Sequence, residues 1–155
     1  MIDHSIRRAS IEDLPGLRII RSQAIEACYS GVFDRNQFAD LVVGRDGRLK
    51  ASLNDELVTV LVAETEQTPV GYTVVDEATG EISGIFTSPD VQGSGIGTRL
   101  LETAQRVLVD AGHDTIEAAV PEAVLPFFTQ HGFQSQGATT WRDLPAIAMV
   151  SPLDP

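Results

Sequence analysis

The residues best suited to chemistry form a glycine-rich segment that follows a predicted strand and opens a predicted helix. Gly93, Gly95 and Gly97 alternate with Ser94 and Ile96, and the helix is predicted to begin at or just after Gly95. The first N–H groups of a helix have no partner within the helix and lie at the positive end of its dipole. Because glycine has no Cβ, an anion can approach this backbone closely. The segment therefore predicts a cradle for a phosphate or pyrophosphate group.

The spacing of these glycines distinguishes between phosphate-binding motifs. A Walker A loop does not fit, because no Gly-Lys-Ser/Thr sequence follows the glycines. The dinucleotide motif G-x-G-x-x-G does not fit either, since position 98 is Thr, and no acidic residue stands at a strand end about 20 residues further on to bind a ribose. The segment from Gln92 to Gly97 instead matches Q/R-x-x-G-x-G/A.

A second motif lies between Pro126 and Phe133, one predicted strand after this helix. It reads PFFTQHGF and resembles the pattern F-Y-x-x-x-G-F. Alone this second pattern is weak, but its position one strand after the glycine-rich helix makes it specific. Together the two segments resemble the GNAT superfamily of acetyl-CoA-dependent N-acetyltransferases, and the similarity in the order of elements spans nearly the whole chain.

The resemblance implies acetyl-CoA as the co-substrate and assigns residues to it. The end of the fourth strand would pair with the pantetheine amides, and a bulge at Gly84 would splay this strand from the fifth. The backbone amides of the glycine-rich loop, with the Thr98 hydroxyl, would hold the pyrophosphate. The implied cofactor-binding residues are Phe86, Thr87, Gln92, Gly93, Ser94, Gly95, Ile96, Gly97, Thr98 and Phe128. No metal is expected, because no Cys/His cluster has the spacing of a zinc site.

Acetyl transfer to an amine needs a base for the amine proton and a donor that polarises the thioester carbonyl. The acetyl group arrives on the cofactor, so no protein nucleophile is required, and Cys28 is interpreted as a core residue. Glu81 is the first candidate for the base, because histone-type members of the family carry a catalytic glutamate at the corresponding position before Gln92. The alternative, a solvated residue that ends a turn, stays open for Glu81.

The general acid of the family is missing from its usual position. Phe128 stands where relatives carry a tyrosine, so this residue can line the cofactor but cannot protonate a thiolate. Tyr29, Tyr72 and His131 are substitutes by residue type only, and we interpret Tyr72 and His131 as structural. Tyr29 precedes the segment that borders the acceptor pocket in this family and is a weak candidate on the substrate side. The thiolate can also leave unprotonated to solvent.

Hydrophobic periodicity and turn signals predict the elements that position these residues. Ser10 followed by Asp13 resembles a capping box before the first helix, and the β-branched run from Leu57 to Ala63 predicts a strand buried on both faces. The other predicted strands are His4–Ala9, Val70–Val75, Glu81–Thr87, Thr115–Val120 and two that flank the turn Arg142 to Pro145. The predicted helices end at Gly31, cover Asn36–Val43, run from Gly95 to Gly112 and end at His131.

The resulting order, β-α-α-β-β-β-α-β-α-β-β, predicts a mixed α/β fold that is neither doubly wound nor a barrel. The resemblance specifies it further as the GNAT-type acyl-CoA N-acyltransferase fold, with a central, mostly antiparallel mixed sheet flanked by helices. We expect a single acetyltransferase domain over residues 1–155, a length typical of one domain.

The composition restricts the partners. The chain has 155 residues, 22 Asp plus Glu against 11 Lys plus Arg, and a formal net charge of -11. This acidity disfavours nucleic acid and anionic membranes, whose binding depends on Lys and Arg. No apolar stretch has the length of a membrane helix, and no signal peptide is recognised, so a cytoplasmic protein is expected. Acid excess with Lys50 as the single lysine suits a halophile's cytoplasm or, equally, an acidic protein from a GC-rich genome.

These observations favour an enzyme that acetylates a primary amine by direct attack in a ternary complex. A small-molecule amine is favoured over a protein N-terminus or lysine, because the chain carries no appended recognition module. The alternative is a non-catalytic acyl-CoA-binding sensor of the same fold. A homodimer is left open.

Overall fold

A seven-stranded mixed sheet forms the centre of the molecule. The computed structural model describes residues 4–29, 36, 47–141 and 144–154. The strands are β1 (His4–Arg8), β2 (Val58–Thr65), β3 (Thr68–Asp76), β4 (Glu81–Thr87), β5 (Thr115–Pro121), β6 (Gln134–Trp141) and β7 (Leu144–Pro152). Their order across the sheet is β1-β2-β3-β4-β5-β7-β6. Neighbouring strands are antiparallel except β4 and β5, which are parallel.

The helices with described bounds are α1 (Leu14–Tyr29), α2 (Arg48–Leu53), α3 (Ile96–Asp110) and α4 (Leu125–Gln130). The predicted capping box is present before α1, where the Ser10 N–H donates to the Asp13 carboxylate over 2.8 Å. Gly112 follows the end of α3 with a φ of +91°, the left-handed conformation in which many helices end. None of the described helices combines the length and the apolar character that a membrane crossing requires.

Buried layers lie on both faces of the sheet. Helix α3 packs on one face in a layer with Leu61 and Ala63 of β2, and helix α1 packs on the other face in a layer with Val60 and Val62. Alternate residues of β2 thus enter opposite layers, as the two-residue period of a strand requires. The prediction that this strand is buried on both faces is confirmed, and so is the predicted mixed α/β fold.

The segment between α1 and β2 agrees least with the sequence prediction. The helix predicted over Asn36–Val43 lies outside the described residues, apart from Asn36 itself. The structure has α2 immediately after Gly47, in a segment for which the sequence predicted no helix. Leu49 is the buried residue of this short helix, and one buried position gives no periodicity to detect.

Strand β4 carries a bulge at Gly84. Ser83 and Gly84 lie opposite the single residue Val74 of β3, and Gly84 has a φ of +122°. Ile82 and Ile85 both enter the layer of α3, although residues three apart in a regular strand face opposite sides. The bulge expected at Gly84 is confirmed.

The bulge lies where β4 separates from its parallel neighbour. The register of β4 and β5 gives two pairs, Glu81 with Glu117 and Ile82 with Ala118. Beyond these pairs the two strands diverge toward the loop that precedes α3. The fold therefore opens the middle of its own sheet at the carboxyl end of β4.

Candidate functional site

The gap between β4 and β5 continues into a cavity of about 510 Å³. Both strands line it with the residues that follow their last pair, the loop before α3 and helix α4 close one end, and α1 and β6 contribute at the other. The lining residues are Ala24, Gly84, Ile85, Phe86, Thr87, Val91, Gln92, Gly93, Gly95, Ile96, Gly97, Thr98, Ala119, Pro121, Val124, Phe127, Phe128, Gln130, His131 and Trp141. The structure thus brings together every residue predicted to bind the cofactor, except Ser94, around one cavity.

The loop before α3 presents an open backbone to this cavity. Gly93 and Gly95 have φ values of +81° and +88°, and a Cβ at either position would meet no described atom within 4 Å. The first hydrogen bond of α3 runs from the Arg99 N–H to the Gly95 carbonyl over 3.0 Å. The N–H groups of the three residues between them therefore have no partner within the helix. This geometry fits an anion, and the left-handed φ values explain why glycine occupies these positions.

Ser94 has a different place in the same loop. Its N–H donates to the Val91 carbonyl over 3.1 Å, and its hydroxyl donates to the same carbonyl. Both donors of Ser94 thus hold the shape of the loop. Its predicted contact with a pyrophosphate stays a prediction.

Phe127 and His131, which the sequence did not assign to the cofactor site, join the segment of α4 to the start of α3. A Cβ on Gly97 would lie 3.4 Å from the Phe127 ring, so a glycine lets the two helices approach closely. His131 contacts the Phe127 ring at a centroid distance of 4.4 Å and its Nε2 lies 3.0 Å from the Thr98 hydroxyl. Phe128 lines the cavity from a buried position and packs edge-on against Phe133.

An aromatic stack borders the cavity at the bulge of β4. The Tyr72 and Phe86 rings stack at 5.1 Å, and Trp141 tilts against Phe86 at 6.5 Å. The Trp141 indole N–H donates to the Ser83 carbonyl over 3.4 Å, which places this ring beside the bulge. Tyr72 is buried behind Phe86, in agreement with its structural interpretation. Trp141 had no recognisable signal in the sequence, since only the fold brings the end of β6 to β4.

Glu81 begins β4 and lies between two other carboxylates. Its ladder partners are Asp76 on β3 and Glu117 on β5. Partial burial of the carboxyl group, followed by the negative charges of Glu117 and Asp76, raises the pKa of Glu81 above its ordinary value. A raised pKa suits a general base that works near neutral pH. Glu81 is not among the described residues that line the cavity.

Tyr29 is the last residue of α1, and its side chain lies outside the part of the chain that the structure describes. Its predicted place on the substrate side stays a prediction. On the same helix, Ala24 does line the cavity. Among the described residues, no group of three or more His, Cys, Asp or Glu side chains is placed to hold a metal ion.

Comparison with known families decides which fold family this geometry represents. Residues 24–149 match the family described as acetyltransferase (GNAT) domain, which is more than half of the chain. The chain belongs to the GNAT acetyltransferase family. A search of curated proteins gives no match. The family assignment therefore stands on the domain match and on the shared fold.

Solved structures of GNAT proteins share the fold over nearly their full length. The PaiA N-acetyltransferase of Thermoplasma acidophilum, solved in complex with coenzyme A, has a TM-score of 0.85 at 17% identity and covers 97% of this chain and 99% of its own. A GCN5-related N-acetyltransferase from Rhodopseudomonas palustris has a TM-score of 0.83 at 18% identity, with coverage of 99% and 98%. The ribosomal-protein-S18-alanine N-acetyltransferase of Escherichia coli has a TM-score of 0.69 at 20% identity, with coverage of 99% and 96%.

Proposed function

We propose that this GNAT protein is an N-acetyltransferase that transfers an acetyl group from acetyl-CoA to a primary amine, with a small-molecule amine favoured over a protein. The proposal depends on the observation that the loop before α3 and the gap between β4 and β5 line the same cavity. A loop with free backbone N–H groups lies at one end, and a gap between two parallel strands leads away from it. This combination fits a long ligand with an anionic end, as acetyl-CoA is.

Each part of the cavity has a function in this proposal. The N–H groups at the start of α3 would bind the pyrophosphate, because they carry the positive end of the helix dipole. Backbone groups of β4 and β5 beyond their last pair would bind the amides of the pantetheine arm in place of a neighbouring strand. When bound, acetyl-CoA supplies an acetyl group already activated as a thioester, so the chain needs no nucleophile of its own. The bulge beside Trp141 would lie next to the acetyl group.

Glu81 is our proposed base for the amine. Its raised pKa lets the carboxylate hold a proton taken from an ammonium group. Since Glu81 does not line the cavity, that proton would reach it through water. Phe128 donates no proton, so the thiolate leaves directly. The thiol of coenzyme A has a pKa near that of cysteine, about 8.5, so its thiolate is a good enough leaving group without protonation. Tyr29 remains our candidate on the acceptor side.

Two measurements test the proposal. Titration calorimetry with acetyl-CoA should show binding, and a thiol-reactive dye should report CoA release with at least one amine from a panel of polyamines, aminoglycosides, amino acids and N-terminal peptides. The acidic chain attracts cationic amines, so turnover at low amine concentration should decrease as salt is added. Absence of acetyl-CoA binding would refute the proposal.

Phe128 in the position of the usual acid favours one other candidate, an acyl-CoA-binding sensor. This candidate predicts tight acetyl-CoA binding without CoA release on any amine of the panel. Release with peptides alone would instead assign the protein to the N-terminal or lysine acetyltransferases.

A further inference from the structure

Thr98 and His131 are joined by a hydrogen bond at the phosphate end of the cavity. The Thr98 hydroxyl lies 3.0 Å from His131 Nε2, and His131 Nδ1 lies 2.7 Å from the Phe127 carbonyl oxygen. All three residues line the cavity. Thr98 is also the third residue of α3, where the free N–H groups of the helix are found.

The partner of Nδ1 fixes the direction of both hydrogen bonds. A carbonyl oxygen only accepts, so Nδ1 of His131 carries a proton and donates it to Phe127. In the neutral ring Nε2 is then unprotonated and accepts the hydroxyl proton of Thr98. The hydroxyl has one proton, so the neutral pair offers the cavity only lone pairs, which repel a phosphate oxygen.

Protonation of the ring reverses the second hydrogen bond. Both nitrogens of a positively charged imidazole donate, so Nε2–H would donate to the Thr98 oxygen. The hydroxyl proton of Thr98 would then be free to point into the cavity. The protonated pair thus presents a donor and a nearby positive charge to the same position.

We propose that Thr98 and His131 bind a phosphate group of acetyl-CoA as one unit, and that His131 takes up a proton from solvent when the cofactor binds. The inference rests on the proposed function and adds His131 as the residue that orients the Thr98 hydroxyl. The proton moves from solvent to Nε2, the Thr98 hydroxyl turns its own proton toward a phosphate oxygen, and no covalent bond changes. His131 is a positioning residue here, since it acts through Thr98.

The hydrogen bonds described for the His131 ring go to uncharged groups, so the cofactor would supply the negative charge. The charged residues on the surrounding elements are Arg99, Glu102, Arg106 and Asp110 on α3, Asp90 in the turn before α3 and Glu122 in the turn before α4; α4, β6 and β7 carry none within their bounds. The Arg99 guanidinium donates to the carbonyl of His4 on β1. The hydrogen bonds of the His131 ring go to Thr98 and Phe127.

Calorimetry with 3′-dephospho-CoA tests the inference, because this probe has the pyrophosphate without the titrating phosphate monoester. Binding is measured at one pH in buffers of different ionisation enthalpy, which gives the number of protons taken up. We expect net uptake of up to one proton by the wild-type protein. Its Kd should increase with pH by a factor that approaches tenfold per pH unit, the limit for one linked proton.

Three variants separate the contributions. Thr98→Ser keeps the hydroxyl and should retain proton uptake, whereas His131→Gln and Thr98→Val should bind more weakly, with no uptake and no pH dependence of the Kd. Circular dichroism and melting curves establish that each variant is folded. Binding by the wild-type protein without proton uptake, or uptake that persists in His131→Gln, would overturn the inference and leave the proposed function intact. Failure of the wild-type protein to bind acetyl-CoA itself would refute the proposed function.

Discussion

Gly95 is the residue on which the anion cradle depends most directly. Its φ of +88° is strained for any other residue, and its missing Cβ leaves the first N–H groups of α3 accessible. In Gly95→Glu a carboxylate would lie beside the bound pyrophosphate, and two like charges at 4 Å repel by about 4 kcal/mol at an effective dielectric of 20. We expect the Kd for acetyl-CoA to increase at least about 100-fold in calorimetry.

Gly112 provides a matched control for this substitution. It has a φ of +91° and no described atom within 4 Å of a Cβ, and it lies beyond the opposite end of α3. Gly112→Glu should therefore lose a similar amount of stability, about 1–2 kcal/mol from the left-handed conformation, and keep wild-type affinity. Equal loss of affinity in both variants would show that the effect comes from stability alone.

The proposed role of Glu81 as the base predicts a pH dependence of kcat/KM. Burial and the charges of Glu117 and Asp76 raise the pKa of Glu81, so kcat/KM should increase with pH through this raised pKa and then level off. Glu81→Gln should lower kcat roughly 100-fold, a typical contribution of a general base, and abolish that limb of the pH profile. Glu117→Gln should move the limb to lower pH, because it removes one of the charges that raise the pKa. Unchanged kinetics in Glu81→Gln would exclude Glu81 from the mechanism.

The free energy of unfolding tests the raised pKa of Glu81 independently of activity. Because its pKa is higher in the folded than in the unfolded protein, ionised Glu81 costs stability at pH values above the folded pKa. This cost disappears as pH falls through the ordinary glutamate range. Urea unfolding should show Glu81→Gln more stable than the wild type at pH 8 and equal to it near pH 4.

At the residue scale, sequence reasoning predicts what is local and misses what the fold assembles. The glycine loop is continuous in sequence, and its fit to an anion follows from residue types alone. The Thr98–His131 bond joins two motifs that were each recognised, but the sequence contained no signal that one side chain would reach the other. Trp141 contacts Ser83 although β5 and β7 lie between their strands in the sheet, so residue spacing could not predict the contact.

At the element scale, the bulge of β4 decides whether the sheet opens. Gly84→Ala places a Cβ on a backbone with a φ of +122°, where L residues are strained, so we expect a loss of about 1–3 kcal/mol in urea unfolding. Relief of this strain would restore a regular strand and narrow the gap. In addition to this loss of stability, we expect the Kd for acetyl-CoA to increase about tenfold, because the narrowed gap admits the cofactor less well.

Gly137 is the control for the bulge. It has a φ of +120°, lies at a register shift in β6 and has open space around a Cβ. Gly137→Ala should destabilise the protein by a similar amount without any effect on acetyl-CoA binding. If both alanine variants bind acetyl-CoA like the wild type, the bulge is not required for the site.

The strands and long helices were predictable because their patterns extend over many residues. The β-branched run of β2 and the apolar stripe of α3 each repeat with the period of their element. Helix α2 could not be found in this way, since six residues with one buried side chain leave no period. The separation of β4 from β5 was expected from the family resemblance, while residue types supplied only the glycine at the bulge.

At the scale of the whole molecule, charge is the dominant property. Arg7 forms ion pairs with Asp13 and Glu64 and lowers the pKa of Asp13. Against a net charge of -11 this leaves many carboxylates that repel one another. Salt shortens the screening length from about 10 Å at 0.1 M to about 3 Å at 1 M, so it should stabilise the fold.

Thermal unfolding in increasing KCl tests this prediction. We expect Tm to increase between 0.05 and about 1 M KCl, with sucrose of equal osmolality as a control that adds no charge. A Tm that continues to increase above about 1 M would favour adaptation to a salt-rich cytoplasm, and a plateau would favour an ordinary acidic protein. A Tm that decreases with salt would contradict dominant repulsion.

The short ladder between β4 and β5 has a consequence for how the protein persists in a cell. Two strand edges face each other inside the sheet beyond Ile82 and Ala118, and unpaired edges readily accept other extended chains. Acetyl-CoA that occupies the gap would cover both edges, so its binding would also protect the folded protein against aggregation. Cells depleted of acetyl-CoA should then lose this protein to aggregation and proteolysis sooner, and its abundance would follow the supply of acetyl groups.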